Sequence, residues 1–255
     1  MSTLPKISVI TVCYNSAATI ADTLRSVAAQ TYPNWEHVII DGGSKDETAS
    51  MVRAWTQHPI RFISEPDNGI YDAMNKGIAL SSGEYIGFLN ADDFFADADV
   101  LSKIALRLTE GQLDAVFSEL DVVAQDDTRR ILRKYRVSEY SRFWLRIGMM
   151  PAHPTFYCRK QCYTQLGNAP YRTDYRIAAD FELLVRLLLT QPVAWQFLNI
   201  TSVKMRAGGV SSQNWQARWL LNREIIRACR ENGLYTNSLF LLLKIPLRLL
   251  EHLHT

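Results

Sequence analysis

Four times within the first 110 residues, a short apolar run rich in β-branched side chains gives way to a stretch with helical spacing. The apolar runs are residues 7–12 (ISVITV), 35–40, 61–64 and 84–89 (EYIGFL). The helical stretches are residues 17–30, 46–55, 71–80 and 100–108, the first with Asn15 or Ser16 placed to cap it. Strands joined by helices of this length need right-handed crossovers and pair in parallel, so the expected fold is α/β with a mostly parallel central sheet flanked by helices. The alternation ends near Asp114. Residues 114–123 and 129–136 read as a strand pair around a polar turn at Gln125-Asp126-Asp127. They are followed by a short helix at 138–145, a strand at 155–158, an apolar helix at 178–189, a β-like stretch at 193–206 and an amphipathic helix at 214–230.

Composition narrows the function. At 47% hydrophobic and 21% charged, the 255 residues suit a globular protein with a large core. A net charge of +2 gives no overall field for nucleic acid, which is excluded as a partner. The charge is uneven, since eight Lys/Arg and only three acids follow residue 200. The four cysteines, Cys13, Cys158, Cys162 and Cys229, form no CxxC pair. Together with a first apolar run too short for a leader, they predict a reduced, cytoplasmic protein without a zinc site. No segment reaches the roughly 20 apolar residues that cross a bilayer. The stretch 239–253, LFLLLKIPLRLLEHL, is apolar and punctuated by Lys244 and Arg248. It reads equally as a membrane-surface segment and as a helix docked on the core or on another chain, a homo-oligomer included.

Five local patterns carry chemistry. Asn90-Ala91-Asp92-Asp93 follows the fourth apolar run, so two carboxylates stand where a strand ends at the carboxyl edge of the sheet, the usual ligand side. Hard oxygen donors there suit Mg²⁺ or Mn²⁺ held jointly with substrate phosphates; the competing reading is an Asp-rich turn that caps the next helix. Asp41-Gly42-Gly43-Ser44 ends the second strand, with an acid able to accept from a base or ribose and glycines that let a ligand come close. A plain turn with Asp46 as cap is the alternative, and the G-x-G-x-x-G of dinucleotide sites is absent. Asp72, Asn75 and Lys76 fall within about one helical turn and offer either a ribose and phosphate face or a solvated one. Asp180 opens an apolar helix, as a cap or as a partly buried acid raised toward general-base range, while Glu182 is structural. His153 is fixed between Pro151 and Pro154, as a ligand contact or a satisfied structural group.

Taken in order, SVITVCYN, HVIIDGGSKDET, EPDNGIYDAMNKGIALSSGEYIGFLNADD, AHPTFY, YRIAADFELLVRL and RAGGVSS resemble the family 2 glycosyltransferases. These are inverting nucleotide-sugar enzymes of GT-A fold, and the chain looks closest to bacterial members that build surface polysaccharides on a lipid carrier. The resemblance spans about residues 7–212. It implies a GT-A domain over 1–212, with a nucleotide-sugar half (1–110), an acceptor-side half (111–212) and a helical extension from 213. It implies that Asp41 contacts the nucleobase, that Asp92 followed by Asp93 binds the metal, that Asp180 is the catalytic base and that His153 lies toward the acceptor. It places Thr11, Tyr14, Asn15, Asp72, Asn75, Lys76, Asn90 and Ala91 on the donor side. The chain departs from the family at the first D-x-D position, where Asn90 keeps a carbonyl oxygen but no charge. Met74 stands where an Arg is common, so either a phosphate or base contact is missing or Lys76 supplies it.

The implied reaction uses a nucleoside diphosphate sugar with Mn²⁺ or Mg²⁺, and an acceptor hydroxyl deprotonated by Asp180 that attacks the anomeric carbon with inversion. The implied acceptor is a saccharide, polyprenyl-diphosphate-linked in such pathways, met at the membrane surface. A sugar-nucleotide nucleotidyltransferase is the alternative enzyme, but Cys13-Tyr14-Asn15-Ser16 lacks the Gly and the basic residue of a triphosphate loop. A non-catalytic nucleotide-binding scaffold is the other.

Overall fold

The computed structural model describes residues 4–136, 141–190, 192–208 and 215–244. One mixed sheet runs through both halves of the chain. Its first part holds β1 (Ile7–Cys13), β2 (Trp35–Asp41), β3 (Ile60–Ser64) and β4 (Tyr85–Phe88), parallel in the order β3-β2-β1-β4. These are the four expected strands. β1 is buried at every position because helices cover both of its faces. The crossovers are α1 (Ile20–Ala28), α2 (Thr48–Arg53) and α3 (Ile70–Leu80).

Beyond β4 the chain adds β5 (Phe94–Phe95), α4 (Val100–Glu110), β6 (Ala115–Val123), β7 (Ile131–Tyr135), α5 (Arg142–Arg146), β8 (Tyr157–Arg159), α6 (Lys160–Thr164), α7 (Ala179–Thr190), β9 (Trp195–Arg206), α8 (Trp215–Glu231) and α9 (Ser238–Leu242). The sheet continues β4-β8-β6-β9-β5, antiparallel at β8 and β5 and parallel between β6 and β9, while β7 forms the expected hairpin with β6. The chain is therefore α/β, with the proposed donor half and acceptor half woven into one sheet. The larger core lies where α3, α7 and α8 pack on the sheet, and α4 covers the opposite side.

Several local expectations are corrected. Neither Asn15 nor Ser16 caps α1 through its side chain. The Ser16 carbonyl accepts the Thr19 and Ile20 amides, while Asn15, left-handed at φ 49°, spends its side-chain oxygen on the Lys45 amide at 2.8 Å. Asp46, by contrast, does hold the start of α2: its Oδ1 accepts the amide and hydroxyl of Thr48, the first helical residue, while its Oδ2 accepts the Ala17 amide at 3.0 Å. Residues 138–140 of the expected short helix, 209–212 of RAGGVSS and 245–253 of the apolar tail lie outside the described residues. Among those described, the tail shows α9, capped by Asn237 and exposing Leu239 and Leu242. No described helix is long and apolar enough to cross a membrane. All four cysteines are buried free thiols.

Candidate active site

The site lies along the carboxyl ends of β1, β2 and β4. Strand register sets Cys13 beside Asp41 and Asp41 beside Ser64, and the chain leaves β4 at the same level into Asn90–Asp93. Asp41 is wholly buried. Its carboxylate accepts the Ser44 amide and hydroxyl and, at 2.6 Å, the Ser64 hydroxyl, so it moulds the loops that follow β2 and β3. The adjoining glycines serve that packing: a Cβ on Gly42 would meet the Asp67 carboxylate at 2.5 Å, and Gly43 has φ +77° against Pro66. Tyr14, by contrast, is 60% exposed at the end of β1.

Thr11 is also buried and ends a hydrogen-bond chain. The Trp55 indole can only donate, at 3.1 Å to His58 Nδ1. His58 Nε2 then donates to His37 Nδ1 at 3.0 Å, and His37 Nε2 donates to the Thr11 hydroxyl at 2.9 Å. Burial, and then the neighbouring His58, push His37 of β2 down to about 3, and burial also lowers His58 in the loop before β3, so both rings stay neutral.

The Asn90–Asp93 loop does not cap the next helix. α4 begins only at Val100, and β5 intervenes, pairing with β9. The loop closes on itself through the Asp93 amide to the Asn90 carbonyl and the Asn90 side-chain amide to Asp93 Oδ2. Thr23 of α1 donates to the Asp93 carbonyl at 2.7 Å, and Arg206, at the end of β9, donates to the Asp92 carbonyl at 2.6 Å while pairing with Asp22. Ala91 is buried beneath the loop. Asp92 is half-buried, whereas Asp93 is 1% exposed, and burial followed by the Asp92 charge pushes Asp93 well above the carboxylate range. Asn90 Oδ1 and Asp93 Oδ1 are buried without a hydrogen-bond partner. No cluster of three or more Asp, Glu, His or Cys able to hold a metal occurs among the described residues. An oxygen-only set with two unsatisfied atoms nevertheless fits a cation that takes its other ligands from phosphate and water.

The Asp72, Asn75, Lys76 face is divided. Lys76 pairs with Glu65 at 2.8 Å and Asp72 at 3.6 Å beside the Pro66–Gly69 turn. Asn75 turns inward and clamps the Tyr171 backbone, donating at 2.8 Å and accepting at 2.9 Å, so both its polar groups are already used. Tyr171 in turn meets His153 Nε2 at 2.6 Å. His153 is 6% exposed, packs on Phe88, and is held down to about 4 by burial.

Asp180 lies at the start of α7, where its Oδ1 accepts the Phe181 amide at 2.8 Å. Tyr71, at the start of α3, faces both the Asp180 carboxylate and the Ala179 and Asp180 amides, which brings the first half of the chain against the acid. Burial raises Asp180 from 3.8 to about 6, the range in which a carboxylate accepts a proton efficiently near neutral pH. Glu182 points away and pairs with Arg186. Just before α7, a groove of about 680 Å³ runs between Arg176 and Ile177 on one side and Trp215, Trp219 and Leu220 of α8 on the other. Both indoles are more than half exposed. Sequence reasoning assigned no role to Arg206, Tyr71 or these tryptophans. The RAGGVSS segment is the one signal that held Arg206.

A family model described as Glycosyl transferase family 2 matches residues 8–172. A PGL/p-HBAD biosynthesis glycosyltransferase of Mycobacterium tuberculosis is 27% identical over 220 residues, covering 82% of this chain and 80% of its own. Among solved structures, S. aureus TarS superposes with a TM-score of 0.64 at 19% identity, over 87% of this chain but only 40% of TarS. Mannosyltransferase PcManGT from Pyrobaculum calidifontis, in complex with GDP-Man and Mn²⁺, gives 0.66 at 20% identity over 92% of this chain and 66% of that one. At 19–20% identity these are likenesses in fold. With nearly two thirds of its length matched by the family model, the chain belongs to glycosyl transferase family 2.

Proposed function

We propose that this glycosyltransferase moves a sugar from a nucleoside diphosphate donor to a saccharide hydroxyl, with inversion and with a divalent cation at the Asn90–Asp93 loop. The observation that carries the reading is Asp180: a half-buried carboxylate raised to about 6, facing Tyr71 from the donor side and lying three residues from the indole-lined groove. Mn²⁺ or Mg²⁺ would be held by Asp92, with Asn90 and Asp93 behind it, and would offset the charge that grows on the departing diphosphate. Exposed Tyr14 and Asn15 take the base and ribose. Asp41, Thr11, Ala91 and Asn75 shape that pocket from behind, and Asp72 and Lys76 stand where the turn before α3 meets the donor. The acceptor lies in the groove, its sugar faces against Trp215 and Trp219. Asp180 takes the proton from the acceptor hydroxyl, whose oxygen bonds to the anomeric carbon as the bond from that carbon to phosphate oxygen breaks. His153 sets the wall beneath through Tyr171. The two halves are functional regions rather than separate modules, and the acceptor is a lipid-linked bacterial surface glycan at the cytoplasmic face of the membrane.

Bound donors in related folds support the reading: GDP-Man with Mn²⁺ in PcManGT, and UDP-GlcNAc in TarS 1–349. The test is release of nucleoside diphosphate from UDP- and GDP-sugars with Mn²⁺, Mg²⁺ or EDTA, in wild type and Asp92→Asn. Turnover should vanish in EDTA, return with the cation, and fall about 100-fold or more in the variant. Equal turnover with Mn²⁺, with Mg²⁺ and in EDTA, together with an unimpaired variant, overturns the cation reading.

A further inference from the structure

α8 carries one buried acid, Glu224, 7% exposed. Its carboxylate accepts three successive backbone amides of the segment entering α7: Arg176 at 2.8 Å, Ile177 at 2.9 Å and Ala178 at 2.9 Å. Those amides precede the first turn of α7, where backbone donors have no partner within the helix and where negative charge is favoured. Two residues further on is Asp180. α8 grips the segment again, as Arg227 pairs with Asp174 and Glu231 meets Arg172 and Tyr175, and just past its end Asn232 donates to Glu182 of α7.

We propose that Glu224 is the positioning residue of the catalytic base: by holding the Arg176–Ala178 amides it fixes where the Asp180 carboxylate points. This rests on Asp180 being the base. Glu224 also acts through its charge. The groups that face Asp180 are the Tyr71 hydroxyl from α3, Tyr171 from the loop before α7, and Glu224 from α8. Of these, Glu224 is the carboxylate that disfavours a second negative charge, and it adds to the effect of burial. Glu224 touches neither donor nor acceptor in this arrangement. It works by geometry, and by setting the pH above which Asp180 accepts a proton.

The test is the pH profile of sugar transfer for wild type, Asp180→Asn, Glu224→Gln and Glu224→Asp. In wild type, activity should rise through an acid limb near pH 6. Glu224→Gln should lower kcat about tenfold or more, leave acceptor KM within about twofold, and move the limb to lower pH. Glu224→Asp keeps the charge but shortens the reach, so it should lower kcat with the limb unmoved, and it remains readable if the glutamine variant fails to fold. A glutamine variant with an unmoved limb, or an aspartate variant with full kcat, overturns the inference. Loss of the reading beneath it looks different: Asp180→Asn would then keep wild-type turnover.

Discussion

If Asp180 is kept ionisable in a place that disfavours its charge, removing that charge should stabilise the protein while destroying its activity. The rise from 3.8 to about 6 corresponds to about 3 kcal/mol between acid and carboxylate in the folded state. The sign follows from proton binding. The folded chain holds this proton more tightly than the unfolded chain, so stability present below pH 3.8 is lost as pH rises through 6. At pH 8, wild type bears the full cost. Asp180→Asn bears none and keeps the oxygen that accepts the Phe181 amide. The variant should therefore be about 3 kcal/mol more stable at pH 8 and about 1 kcal/mol more stable at pH 4.5. In melting temperature the pH 8 gap is roughly 6–12 °C for a chain of this size. Transfer should meanwhile fall by about two to four orders of magnitude. Thermal melts of both proteins across pH 4.5–8 read the gap directly. A variant no more stable than wild type at pH 8, or a gap that does not change with pH, refutes the argument that burial tunes this acid.

Two further outcomes concern the scaffold. His153 is neutral when folded and falls to about 4, so its contribution is complete above pH 6.5 and lost as pH drops toward 4, amounting to about 2 kcal/mol at pH 5. Urea unfolding at pH 7 and pH 5 should show wild type losing about that much more than His153→Gln, and equal losses would contradict it. Gly87 of β4 lies opposite Tyr157 of β8, and a Cβ there would stand 2.2 Å from the ring of a fully buried side chain. Gly87→Ala should cost about 3 kcal/mol or more, and a melting temperature within 2 °C of wild type would show that the ring yields easily.

What could be read from sequence follows the range of the forces involved. β1, β2 and β4 announce themselves because strands covered on both faces carry near-continuous apolar runs, and Asp180 stands out because an acid amid Ala178, Ala179 and Phe181 is bound to be partly buried. β5 has two residues and exists only through its pairing with β9, so no periodicity can reveal it. Asn75 resembles a ligand-face residue until the fold brings up Tyr171, 96 positions away. Asp41 reads correctly as an acid at a strand end, but its saturation by Ser44 and Ser64 depends on two loops meeting. Glu224 is the extreme case, one charge among the many of a basic tail until α8 docks on the segment ahead of α7.

The weave of the sheet sets how this protein can be divided. β4, the last parallel strand of the first half, is bordered by β8, and β5, though packed on α1, has its strand partner in β9 at the far side. A gene cut after residue 110 would therefore yield a fragment with one raw, adhesive flank and a cation loop that keeps Thr23 but loses Arg206, inviting other chains to fill the gap. Swapping acceptor specificity between relatives by exchanging whole C-terminal halves would break these seams. Exchanging surface segments that hang from an intact sheet would not.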